Sequence, residues 1–418
     1  MTAATSARPY DALDLSSRAF WSGTARQREE TFAQLRRDRP VSWHPPVEDA
    51  LLTLPDDPGF WAVTKHADIV TVSRRNDVFI SGQGVLFENI PEEMLEASQS
   101  FLAMDPPRHI KLRKLVSAAF TPRQVQRIEA QIKHNAREVV RELAEAGSGA
   151  DFVEHCAKQL PVRTLSDMVG IPASERDNVA HAADALVSWA DPVYLNGRNP
   201  LEMLTEGQGY LHAIANELAA DRRTNPGDDL LTSLVQAEID GDRLSDFEIA
   251  AFFVLLAVAG NDTTRQTTSH AMKALTDNPD QRAWLAAAFD SRIAIAVEEF
   301  VRWASPVMTF RRTAVEEFDL NGQRMSPGEK VVMFYPSGNW DTDVFDAPDV
   351  FDLRRDPNPH VGFGGGGAHF CLGAHVARAQ LRAIFGELLQ QLPGIEAGDP
   401  VFVPGNFIHA IRTMPCTF

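Results

Sequence analysis

Four consecutive glycines, Gly364 to Gly367, run into Ala368-His369-Phe370-Cys371-Leu372-Gly373. Glycines free the backbone to take positive φ and let it lie flat against something large. A cysteine follows at once, and Leu372-Gly373-Ala374-His375-Val376-Ala377-Arg378 reads as the start of a helix. At such a position unpaired N–H groups and the helix dipole are predicted to favour the thiolate. That sulfur can attack a substrate as a nucleophile or bind a metal. No histidine partner stands at a known catalytic spacing, and a glycine collar suits a wide, flat ligand better than a small acyl group.

A second stretch is as restrictive. Ser245 and Glu248 form a capping box, and the helical pattern runs to about Asp277, where Asn278-Pro279 stops it. Thirty residues at about 1.5 Å each make a rod of about 50 Å. Apolar residues cover all its faces from Ala251 to Ala259, which predicts a buried helix. The composition then changes to Gly260-Asn261-Asp262-Thr263-Thr264. A carboxylate and two hydroxyls inside a buried helix are costly unless they serve something. Thr263 can bond back to the carbonyl four residues earlier, bend the helix and leave room for a small molecule.

In these residues the chain resembles the cytochrome P450 family. His369 two before Cys371, Gly367 four before it and Gly373 two after it fit that family's haem-thiolate loop. Phe363 lies eight before Cys371 rather than seven, so one glycine is extra. The resemblance implies haem b, with Cys371 as the iron ligand and Phe363, Gly365, His369 and Gly373 around it. It implies that Thr263 holds oxygen and that Asp262 feeds protons inward. His109 and Arg113, after Asp105-Pro106-Pro107, share a helix face and resemble the family's propionate-binding pair. Arg312 matches a second propionate arginine, with Arg311 as a rival. Glu299 and Arg302 match a buried Glu-x-x-Arg whose third member is Arg355, behind the thiolate loop. Asn339-Trp340-Asp341 stands where the family often has Asn-Arg-Asp.

The fold so implied is mainly α with small β-sheets, a triangular prism with the haem between the long central helix and the helix after the Cys loop. It is expected as one domain over residues 1–418, since no low-complexity linker divides the chain. Residues 79–103 form a long irregular segment, a substrate cover by resemblance. Asp191–Gly209, with Pro192, Gly197, Pro200 and Gly207, reads as a mobile connection, and Phe402–Phe418 as a closing hairpin. Expected pocket residues are Val85, Leu86, Phe87, Leu255, Val258, Ala259, Val307, Met308 and Phe407. They are apolar, so the substrate should be too.

A net charge of −17 with no basic block argues against nucleic acid. Cys156, Cys371 and Cys416, at unrelated spacings, make neither a disulfide framework nor a zinc cluster, which fits a reducing cytoplasm. The first ten residues hold no apolar signal region, and the longest apolar run, Ala250–Ala259, is too short for stable membrane insertion. The expectation is a cytoplasmic monooxygenase that uses O2. No flavin or iron–sulfur motif is present, so electrons come from outside, by resemblance from a ferredoxin and its reductase. Arg108, Lys111, Lys114 and His375 are the expected docking patch. The Gly-expanded loop resembles that of enzymes hydroxylating the terminal methyl of branched lipids, isoprenoids or terpenoids, with sterol side chains as the alternative substrate. A peroxide-driven haem enzyme and a haem-binding protein without turnover are the readings from other classes.

Overall fold

The computed structural model describes residues 8–91, 95, 101–117, 120, 122–239 and 241–418. Its main helices are α1 (Ala25–Asp38), α2 (His66–Arg74), α3 (Arg108–Ser117), α4 (Pro122–Ala146), α5 (Gln159–Val169), α6 (Arg176–Ala185), α7 (Pro200–Thr224), α8 (Asp246–Asp277), α9 (Phe289–Ala304) and α10 (Ala374–Gln391). One sheet of five strands carries β1 (Val41–His44), β2 (Phe60–Val63), β3 (Phe79–Ile80), β4 (Thr309–Ala314) and β5 (Lys330–Phe334), in the order β1-β2-β5-β4-β3. Only β2 and β5 run parallel; the other neighbours are antiparallel. The fold is mainly helical with small sheets.

Helix α8 organises the packing. Ser245 caps it, its hydroxyl accepting from the Glu248 N–H while the Glu248 carboxylate accepts from the Ser245 N–H. Helices α5, α6, α7 and α9 pack around it, and α10 packs on α4. Its composition is more apolar than its ten-residue run implies: the whole helix is long and apolar enough to cross a bilayer. Here it lies inside the fold instead, where its apolar residues join one large cluster with those of α4, α5, α9 and α10. Buried hydroxyls along it are satisfied within the helix: Thr267, Thr268 and Ser269 donate to the carbonyls of Thr263, Thr264 and Arg265.

Two expectations change. The break over Asp191–Gly209 shrinks, because Asn199 caps α7 and Pro200 occupies its first turn, so Gly207 and Gly209 are helical. Gly207 is where α7 touches α6: a Cβ there would stand 3.0 Å from the Ala182 carbonyl. The closing hairpin is two separate pairings, Val401–Phe402 with Ile411–Thr413 and Glu396–Ala397 with Cys416–Thr417. Within the expected substrate cover, residues 92–94 and 96–100 lie outside the described residues, and Met94 with them.

Candidate active site

The glycine run closes over α2. Gly364, Gly366 and Gly367 take positive φ. A Cβ on Gly367 would lie 2.4 Å from the Ser73 carbonyl oxygen, and one on Gly365 would lie 2.6 Å from the Ser73 hydroxyl. With its back against α2, the loop turns Cys371 toward a cavity of about 220 Å³. The Cys371 N–H donates to the Phe363 carbonyl at 3.0 Å, and Arg113 donates to the Phe370 carbonyl at 2.6 Å. Burial pushes the Cys371 thiol up, while the Gly373 N–H and the charges of Arg113 and Arg378 pull it down less.

Behind the loop, Glu299, Arg302 and Arg355 meet. The Glu299 carboxylate accepts from Arg302 twice at 2.7 Å, from Arg355 at 3.2 Å, from Asn358 at 3.0 Å and from the Asp352 N–H at 3.0 Å. Arg302 also donates to the Asn339 carbonyl at 2.9 Å, and the Asn339 side chain accepts from the Val361 N–H at 2.8 Å. The network thus reaches the start of the Cys loop. Trp340, beside Asn339, packs on Trp303 with ring centroids 5.6 Å apart. A second brace is Glu298, which takes a fork from Arg378 at 2.6 and 2.7 Å. The Arg378 guanidinium in turn lies 4.5 Å from the centroid of Phe363.

On the cavity's basic side, Arg312 and His369 line the wall, and the His109 ring stands 4.3 Å behind that of His369. Both ring nitrogens of His109 and Nδ1 of His369 have no hydrogen-bond partner among the described residues. Burial, then Arg312, His109 and Arg113, hold the His369 pKa down to about 2. Arg311, the rival of Arg312, points elsewhere, donating to the Gln83 and Gly84 carbonyls and to Asn89. Buried cationic and unpartnered donors beside a Gly-lined slot with one open sulfur fit a flat macrocycle carrying carboxylates, as haem does.

The opposite wall comes from α8, where Leu255, Ala259 and Thr263 share one face four residues apart. The Thr263 hydroxyl donates to the Ala259 carbonyl at 2.9 Å. Asp262 does not face this cavity. It is buried on the other side of the helix, bonded to Arg265, which also pairs with Asp184 at 2.9 Å. Burial raises the Asp262 carboxyl, and Arg265 opposes it.

Of the expected pocket residues, Leu255, Ala259 and Val307 line the cavity at Cys371 and the other six do not. Phe87 is core, packed on Phe60, Trp21 and Phe334, and Met308 belongs to that same cluster because it alternates with Val307. Val258 packs into the main core from the adjoining face of α8. Val85 is buried, its carbonyl holding the Arg311 N–H at 2.7 Å, and Leu86 next to it is half-buried away from the wall. Phe407 lines the space on Asp262's side. Residues missed from sequence include Thr164 and Leu165 of α5, whereas Phe310 of β4 falls in the stretch Ser305–Phe310 that sequence marks as a pocket wall. Only the helical period of α5 marked an inward face, with nothing to say that the face meets a cavity.

Comparisons with known proteins agree with this geometry. The cytochrome P450 family profile matches residues 62–393. The methyl-branched lipid omega-hydroxylase of Mycobacterium tuberculosis is 41% identical over 413 residues, covering 98% of this chain and 95% of that one. The steroid C26-monooxygenase of Rhodococcus jostii is 40% identical over 390 residues, covering 92% and 80%. A Mycobacterium marinum cytochrome P450, solved in complex with pseudoionone, is 73% identical with a TM-score of 0.97, covering 99% and 100%. The glycine-cradled cysteine, the basic slot beside it and the threonine on the long helix across the cavity all lie within the matched span, and the chain belongs to the cytochrome P450 family of haem monooxygenases.

Proposed function

We propose that this chain, as a single domain, hydroxylates the terminal methyl of a methyl-branched lipid, isoprenoid or terpenoid. One observation carries the reading: the wall facing Cys371 is built from Leu255, Ala259, Val307 and Phe310, with the Thr263 hydroxyl among them. Such a wall admits a slender apolar end, and the Thr263 hydroxyl is its one polar group among these residues. The names of the relatives support this: one acts on methyl-branched lipids, and the M. marinum structure holds pseudoionone, an acyclic terpenoid ketone. The steroid C26-monooxygenase relatives favour a second reading, a sterol side chain, which ends in the same branched methyl.

Haem, bound through Cys371, supplies O2 activation and oxidation of the C–H bond. His109, Arg113, Arg312 and His369 hold its carboxylates, and Phe363, Gly365 and Gly373 shape the slot. Leu255, Ala259 and Val307 exclude water and orient the methyl. The Thr263 hydroxyl, fixed by the Ala259 carbonyl, positions a proton at the cavity. Asp262, on the far face of the same turn and held there by Arg265, is the group that takes up protons from the side away from Cys371. Glu299, Arg302 and Arg355 hold the Cys loop from behind.

Electrons come from a ferredoxin and its reductase in the cytoplasm. Arg108, Lys111, Lys114 and His375 are exposed on and near the Cys-loop face, although Arg108 is bonded to Glu248. Reversing the charge of Lys111 and Lys114 together should slow reduction.

The test is spectral titration of the purified protein with a methyl-branched fatty acid, an acyclic terpenoid and a cholestane sterol, followed by product analysis with ferredoxin and reductase. Binding and terminal hydroxylation of the first two support the reading, and preference for the sterol selects the second. A protein lacking the red-shifted carbon monoxide band, or keeping it in Cys371→Ser, refutes both. Turnover with peroxide alone points to a peroxide-driven enzyme, and binding without product to a haem-binding protein.

A further inference from the structure

Tyr335 directly follows β5 and lines the cavity at Cys371. Its backbone N–H donates to the Met308 carbonyl at 3.0 Å, which ties it to the end of the sheet. On the neighbouring strand Phe310 lies opposite Met333, and Arg312 lies opposite Val331. Residues opposite one another share a face of an antiparallel pair, and alternate residues of a strand return to that face. Tyr335, two after Met333, therefore stands on the same face as Arg312. Its ring belongs to one apolar cluster with Ile69, Val72 and Val361. It meets Phe310 edge-on, with ring centroids 6.2 Å apart.

Tyr335 is only 4% exposed, and among the described residues its hydroxyl makes no hydrogen bond. A buried hydroxyl without a partner is costly, and such groups in native proteins find one. Asp105, the acid whose charge reaches Arg312, is already engaged, accepting from the Ser81 and Gly82 N–H groups at 2.8 Å each. The Arg312 guanidinium makes one hydrogen bond among the described residues, to the Arg311 carbonyl at 2.7 Å. Burial pushes the Tyr335 phenol up to about 12, and Arg312 opposes burial less, so the hydroxyl keeps its proton. A neutral donor beside a buried guanidinium suits an anion with lone pairs for both, and a carboxylate is such an anion. An apolar substrate would leave the hydroxyl unpartnered, and a cation would be repelled by Arg312.

We infer that Tyr335 is a further haem-holding residue, its hydroxyl donating to the carboxylate that Arg312 binds. This rests on the proposed placement of the haem carboxylates at Arg312 and His369. The tyrosine adds a donor to a slot of arginines and histidines without adding a further buried charge. Because its ring is fixed by the sheet and by α2, the hydroxyl is already in place before the carboxylate arrives.

The experiment follows transfer of haem to an apo-globin from wild type and from Tyr335→Phe. Each is loaded either with haem b or with its dimethyl ester, whose carboxyl groups carry no charge. The substitution removes one oxygen and keeps the ring. With haem b the variant should release its cofactor about tenfold faster, the factor that one hydrogen bond to a charged group contributes. With the ester the gap should shrink to about threefold or less, since a neutral acceptor bonds about half as strongly. Equal release of haem b from both proteins, as when the hydroxyl meets only water, overturns the assignment of Tyr335 and leaves the basic slot standing. The same acceleration with both cofactors shows that the substitution acts through packing, and overturns it too. An ester held by wild type as firmly as haem b overturns the carboxylate placement itself, and Tyr335 with it.

Discussion

Replacing Arg302 by alanine strikes the brace behind the Cys loop at its centre. Its guanidinium is fully buried and makes five hydrogen bonds, two to Glu299 and one each to the carbonyls of Asn339, Pro348 and Val350. Removing one partner of a buried pair costs about 3–5 kcal/mol, because the other charge stays behind without compensation. Here Arg355 and Asn358 remain on Glu299, which places the cost toward the lower end of that range. An unfolding entropy of about 2.1 cal/mol/K per residue over 418 residues gives about 0.9 kcal/mol/K, so the midpoint should fall by about 3–6 °C. Because Arg302 reaches Val361 through Asn339, haem should also leave more readily. Circular dichroism of the haem-loaded protein on heating reads the first effect, and transfer of haem to an apo-globin reads the second. Arg302→Lys should recover less than half the loss, since a point ammonium cannot reproduce the fork. A midpoint drop below about 1 °C with unchanged haem transfer would refute the reasoning, showing that the carboxylate finds new donors at no cost.

Gly367→Ala should cost the protein most of its haem, because the added Cβ meets the Ser73 carbonyl oxygen at 2.4 Å on a backbone with φ of +76°. Gly209→Ala, on an open helical surface, should keep it, and haem content per protein is the readout. Burial raises Glu298, but Arg378 and His360 outweigh burial and bring its pKa from 4.5 to about 2. Its contribution is therefore fully present above about pH 4.5 and is lost as the pH falls toward 2. Thermal midpoints across that acid window should fall less steeply in Glu298→Gln than in wild type. Thr263→Ala should lower hydroxylated product by about tenfold or more while reductant consumption continues, as the loss of a positioned proton donor requires. Equal decline of product and consumption would deny Thr263 that role.

What could be read from the sequence was local. The Ser245–Glu248 cap, the stop at Asn278 and the reach of α8 follow from residues a turn apart, and the Thr263 back-bond lies within one turn of helix. The Glu299–Arg302 pair is equally local, whereas Arg355 is fixed by its place before Asp356-Pro357 only once the chain folds back. The pocket was the least legible part. Whether Met308 or Val307 faces the cavity depends on the alternation of the extended segment leading into β4, which its sequence, apolar at both positions, does not reveal. Phe87 looked like lining because it sits in an irregular segment, but Trp21, Phe60 and Phe334 claim it from three distant parts of the chain. Gly207 and Gly209 looked like helix breakers; they are tolerated because α6 comes close enough at Gly207 to reward the missing side chain.

Adjacent residues of α8, Asp262 and Thr263, open onto different rooms. A single α-helical step of about 100° therefore marks a boundary between a wall lined by Leu255, Ala259 and Val307 and one that carries Asp262, Asp184 and Arg265. The wall is no thicker than one helix, so the proposed proton delivery need only pass between neighbouring residues. The same chain segment thereby works as both floor and ceiling, and the polarity of each room can be tuned by substitutions on one face alone.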